Sequence, residues 1–217
     1  YILFAFLVIF LWMYLNVFMF IVFLIVASFH FGKEDCNAYI VKKRSLVFLL
    51  YFLKGSLIIF APLLFHFTDT IEIFKSLYLT EERFVNTLIF FNNNYIILTF
   101  VILSLFCNFL IFVNYVHGTG AFIESLIILL INYLFSPLVA FTIYFCFIHS
   151  VRHIISLILE YEKEDLYLLN GLKKFCIRAW PLTSITTIIF LVSVYILTNH
   201  YILDDAILKV IFIGLAS

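Results

Sequence analysis

Run after run of apolar residues, each close to the ~20 that a membrane-crossing helix needs, constrains this chain more than any other feature. Stretches such as "VILSLFCNFLIFV" (101–113) hold no charge at all. In hydrocarbon, every backbone N–H and C=O must be satisfied inside the protein, so such runs fold as helices. Composition agrees. The 217 residues are 65% hydrophobic and 12% charged, against about 45–50% and about 25% for soluble domains, which is too much apolar surface for one water-soluble core. The fold class expected is therefore all-α, a polytopic transmembrane helical bundle of about six to seven spans. Candidate spans lie at roughly 5–29, 45–66, 94–116, 121–135, 138–159 and 181–199, with a seventh starting near 205. One integral-membrane domain over 1–217 is expected. The chain starts at Tyr1 inside an apolar run and stops at "IFIGLAS", so the expectation is a piece of a longer protein. No net charge draws it to nucleic acid. Cys36, Cys107, Cys146 and Cys176 form no CxxC pair, which argues against a disulfide framework or a zinc ribbon.

The split of 121–159 into two helices rests on two signals. Ser136-Pro137 suits a helix start, with Ser as N-cap and Pro in the first turn. The charge bias of the loops is the second. Lys33, Lys42, Lys43 and Arg44 follow the first span, and Lys163, Lys173, Lys174 and Arg178 follow the fifth. With two helices, both basic loops fall on the cytoplasmic side; with one, they face opposite sides. The polar connection 67–93 contains "IEIFKSLYLTEERF", which reads as an interfacial amphipathic helix.

Ionisable residues at membrane depth are costly and are functional candidates for that reason. The stretch "YFCFIHSVRHI" (144–154) holds three of them, His149, Arg152 and His153. His149 and His153 are spaced i, i+4, so an α-helix puts both imidazoles on one face, within reach of one metal ion. On spacing alone, a hydrogen-bonded clasp between helices explains the pair equally well. Arg152 either flanks the same face or snorkels to headgroups. His30 ends the first span in "SFHFGKED", where Gly32 permits a turn and Asp35 is placed to bond an imidazole N–H as an outer-shell carboxylate. A helix end with a solvated charge cluster is the alternative. Glu124 opens the fourth span and Lys54 lies within the second. The topology puts His30, Glu124 and the 149–153 cluster in the cytoplasmic half of one bundle. Six histidines are too few for the multi-histidine di-iron boxes of membrane desaturases. A haem or electron-transfer protein needs only two axial ligands and stays open. Ser150 is adjacent to His149, so a Ser–His nucleophile is disfavoured. The 29 Phe fit a site for a large aromatic or polyene ligand, or the codon bias of an AT-rich genome.

Three segments, "FHFGKED", "SPLVAFTIYFCFIHSVRH" and "IFIGLAS", resemble the Brp/Blh family of membrane-bound β-carotene 15,15′-dioxygenases. The family pattern His-Phe-Gly-x-x-Asp falls on His30-Phe31-Gly32 and Asp35, and Cys-Phe-x-His-Ser-x-Arg-His falls on Cys146 to His153. The resemblance implies an Fe(2+) enzyme that splits the central double bond of β-carotene with O₂ into two all-trans-retinal. It implies His30, His149 and His153 as iron ligands, with a fourth histidine expected upstream of residue 1. Asp35, Glu124 and Arg152 would support them, and Tyr144, Phe145 and Phe147 would line a polyene tunnel. Some relatives have His-Gly near Lys54, which this chain lacks. The expected setting is the cell (inner) membrane, with retinal passed to a rhodopsin. A non-catalytic carotenoid- or retinal-binding relative is the remaining alternative.

Overall fold

A computed structural model describes residues 10, 14–37, 47–77, 79, 81–114, 118–161 and 168–216. Among them the secondary structure is helical. The elements are α1 (Asn16–Asn37), α2 (Val47–Phe65), α3 (Phe67–Ser76), α4 (Glu82–Asn93), α5 (Ile96–Asn114), α6 (Gly118–Leu134), α7 (Pro137–Ile143), a π-helix (Tyr144–His149), α8 (Ser150–Tyr161), α9 (Leu168–Leu197) and α10 (Leu203–Ala216). Among the described residues, five stretches are long and apolar enough to cross a membrane: Val17–Cys36, Val47–Phe65, Ile96–Val113, Pro137–Ile158 and Leu169–Leu197. The apolar α6 is shorter, at 17 residues or ~26 Å. The all-α membrane bundle and the break at Ser136-Pro137 are as expected, with Pro137 in the first turn of α7. By packing, the chain forms two compact units, Leu11–Ser150 and Tyr1–Phe10 with Val151–Ser217.

In the unit Leu11–Ser150, α1 and α2 touch backbone to backbone. Lipid tails are as apolar as leucine, so helices in a bilayer associate through close van der Waals packing, which small residues permit. Gly32 and Gly55 provide it. A Cβ on Gly32 would run into the Tyr51 carbonyl, and one on Gly55 into the Ser28 carbonyl. A third such contact joins the start of α6 to α5, where a Cβ on Gly118 would meet the Ile111 carbonyl. The core lies where α2, α5, α6 and the π-helix meet, around Leu57, Ile58, Val101, Ile128 and Tyr144.

Three boundaries differ from the sequence expectation. The first span does not end at 29: α1 continues as helix through Gly32 to Asn37. Gly32 is thus not a turn residue, and its missing side chain serves the crossing with α2. The proposed interfacial helix over Ile71–Phe84 is two helices. Leu77 and Leu79 are both buried. Residues two apart do not share a helical face, so with both buried α3 ends before α4 begins at Glu82. Phe74 and Phe84, one from each helix, then meet the buried ring of Phe20 on α1 at centroid distances of 4.8 and 6.0 Å. The sixth span starts before Pro181, which lies inside the 30-residue α9.

In the unit containing Val151–Ser217, α9 and α10 pack together. Lys209 on α10 sits 4.9 Å from the centroid of the Tyr201 ring, a cation–π contact.

Replacing Gly32 with Ala is expected to destabilise the protein by about 1–3 kcal/mol, the usual cost of overpacking. Gly214→Ala is the control, because nothing lies within 4 Å of its would-be Cβ. Thermal midpoints in detergent check this: Gly32→Ala should fall by several degrees and Gly214→Ala should not.

Candidate functional site

The extension of α1 past His30 builds the site. It puts Phe31 and Asp35 one turn apart on a single helical face. Asp35 is fully buried, and each of its carboxylate oxygens meets a partner from the segment 144–149. The Tyr144 hydroxyl donates to Oδ2 at 2.8 Å. His149 Nδ1 lies 3.4 Å from Oδ1, the long end of hydrogen-bond range. An ionised carboxylate only accepts, so with Asp35 ionised the proton of this contact belongs to Nδ1.

The π-helix makes this double contact possible. Tyr144 and His149 are five residues apart, which on an α-helix puts their side chains ~140° apart. Within the π-turn, hydrogen bonds run five residues back, and Ser150 N–H donates to the Phe145 carbonyl. Residues five apart then align, and both reach one carboxylate. The two rings are 6.0 Å apart. No Gly or Pro falls within 138–149 to signal the irregularity. Such turns are frequent at functional sites.

His149 is buried among aromatics. Phe31 meets it edge-on at 4.8 Å, and Phe145 stacks on it at 5.7 Å and 25°. His30 lies beside it with ring centroids 5.9 Å apart. Two imidazoles that share an ion have centroids within about 6.5 Å, given metal–nitrogen bonds of ~2.0–2.1 Å. The pair fits that limit. Among the described residues, no group of three or more His, Cys, Asp or Glu is placed to hold a metal together.

The other candidates fall as follows. His153 is exposed and Arg152 half-buried, both on α8 in the unit containing Val151–Ser217. Phe147 is 72% exposed on the outer face of its helix, whereas Phe145 and Tyr144 are turned inward. Sequence reasoning placed Tyr144 among tunnel-lining aromatics; the structure puts its hydroxyl on Asp35. His66 precedes α3 without a side-chain capping bond, and its Nδ1 lies 3.8 Å from Asp69 Oδ2. His117 lies outside the described residues.

Glu124, which the resemblance placed in support of the iron ligands, meets Lys54. The Lys54 ammonium is 3.5 Å from Glu124 Oε1 and donates to Ser125 Oγ at 3.1 Å and to the Ala121 carbonyl at 3.2 Å. All three acceptors are on α6, so α2 is pinned to α6 through one buried charge. Ser104 on α5 donates to the Leu53 carbonyl at 2.6 Å, on the adjoining residue of α2. Lys54 was legible as a costly residue; its partner required the helix contact.

Apolar helices with few buried ionisable groups, matched across helix contacts, define a polytopic helical membrane protein with a buried histidine–carboxylate site. The family model for BCD, beta-carotene 15,15′-dioxygenase, matches residues 1–217, and the chain belongs to that family. No curated protein and no solved structure matches it.

Breaking a buried ion pair from one side leaves an unpaired charge and costs about 3–5 kcal/mol, while replacing both partners costs far less. Lys54→Met alone should therefore lower stability sharply, and Lys54→Met with Glu124→Leu should recover much of the loss. Thermal unfolding of the two single variants and the double variant measures the coupling.

Proposed function

We propose that the protein cleaves the central 15,15′ double bond of β-carotene with O₂, giving two molecules of all-trans-retinal. The family match over residues 1–217 carries this reading, and the adjacency of His30, His149 and Asp35 supports it. Atoms balance: one alkene bond and the O–O bond break, and each half of the polyene gains one oxygen as an aldehyde.

His30 and His149 are the proposed iron ligands on observed ring adjacency, and His153 joins them from sequence spacing. Bound Fe(2+) would supply the one-electron chemistry through which ground-state O₂ reacts with an alkene. The protein's own contributions follow from the geometry. Asp35 holds His149 by Nδ1, which leaves Nε2 as the coordinating nitrogen and fixes the ring's orientation. Phe31 and Phe145 surround the imidazole and keep water from it. β-Carotene and O₂ both dissolve in the bilayer, so the apolar outer surface, including the outward Phe147, is a route of approach. Retinal released there stays in the membrane, where a retinal-binding protein such as a rhodopsin is the proposed acceptor. The proposed location is the cell (inner) membrane.

The test is expression of the full-length protein in β-carotene-producing cells, with retinal and β-carotene measured by chromatography. Retinal should appear at two per β-carotene lost, and His149→Ala should lower output by at least 100-fold. Unchanged carotenoid from protein that is made and iron-loaded would overturn the reading. A carrier would bind carotenoid without consuming it, and a haem protein would show a Soret band.

A further inference from the structure

We propose that Tyr144 is a positioning residue for His149, acting through Asp35. The inference rests on the site described under Proposed function, but its geometry is independent of any metal. Asp35 has two oxygens and no exposure. The Tyr144 hydroxyl holds Oδ2 at 2.8 Å, the shorter of the two contacts. That bond sets the rotation of the carboxylate and so aims Oδ1 at His149 Nδ1.

The same contact governs how strongly Asp35 draws on the imidazole. A buried carboxylate is a strong acceptor, and a hydroxyl bonded to it takes up part of its charge. With the hydroxyl in place, His149 is steered and its tautomer selected, while the Nδ1 contact stays long, at 3.4 Å. Without it, the carboxylate loses its short contact on Oδ2, and its aim at the imidazole is less tightly set. Tyr144 itself has little freedom. It is 1% exposed, and its ring packs edge-on against Phe31 at 5.8 Å. Phe31 also meets His149, so the tyrosine, the phenylalanine and the histidine form one packed group around Asp35. The π-turn lines Tyr144 up with His149, and an α-helical register would point the hydroxyl elsewhere. A residue that only filled space would need no hydroxyl at this position.

The test has two arms on the purified full-length protein. In the first, ¹⁵N-histidine NMR of metal-free protein reads the tautomer of His149, assigned by comparison with His149→Ala. The parent should be protonated at Nδ1, and Tyr144→Phe should show a growing Nε2-protonated population. In the second, Co(II) titration followed by its ligand-field spectrum reads affinity and geometry. Tyr144→Phe should bind about 10-fold or more weakly, in the range seen for outer-shell substitutions, with a shifted spectrum. If Tyr144→Phe does not fold, 3-fluorotyrosine at 144 keeps the shape and strengthens the donor, and the His149 Nδ1 resonance should shift as carboxylate charge is drawn toward Oδ2. An unchanged tautomer in folded Tyr144→Phe, or an unchanged Nδ1 resonance in the fluorinated protein, overturns the proposal. A parent that binds no Co(II) counts against the metal reading, and the tautomer arm alone then decides the role of Tyr144.

Discussion

The backbone contact between α1 and α2 at Gly32 and Gly55 is the constraint on which the rest of this protein depends. Within a bilayer nothing squeezes two apolar helices together, and they stay in place only where their surfaces fit closely. Each glycine stands against a carbonyl of the other helix, at a separation no side chain allows. The crossing settles where α1 lies from Ser28 onwards. It therefore decides where Phe31 and Asp35 present their side chains. A turn at Gly32 would have released Asp35 to the loop; a helix through it puts the carboxylate in the protein interior.

Charge and hydrogen bonding then work at two places in the unit Leu11–Ser150. At one, Lys54 and Glu124 lock α2 to α6, a contact costly to break and of modest net benefit when whole. At the other, Asp35 gathers Tyr144 and His149. The first is consistent with a purely architectural role. The second has the composition of a ligand and its support: an imidazole, a carboxylate behind it, a second imidazole alongside, and aromatic walls. The π-turn connects this chemistry to the fold. It costs helix regularity and in return brings two residues five positions apart onto one carboxylate.

Much of this was legible in the residues. Apolar runs determined an all-α membrane protein, because a bilayer permits no other use of such segments by a chain this rich in them. The cost of burying charge singled out His30, Lys54, Glu124, His149, Arg152 and His153 before any contact was known, and Asp35 entered as a carboxylate placed to bond an imidazole N–H. The His-Phe-Gly-x-x-Asp and Cys-Phe-x-His-Ser-x-Arg-His patterns pointed to the β-carotene dioxygenase family, which the match over residues 1–217 bears out.

Partners were not legible, because pairing across helices depends on rotation and crossing depth, and hydropathy carries neither. That Lys54 meets Glu124, that Asp35 faces His149, and that Gly32 packs instead of turning were decided by tertiary structure. Tyr144 shows the limit most clearly. In sequence it is one aromatic among many in an apolar helix, and an α-helical reading turns it ~140° away from His149. Only the π-turn, which leaves no mark in composition or periodicity, brings its hydroxyl to the carboxylate. The sequence by itself determined which residues had to find partners in a medium without water; the packed helices decided which partners they found.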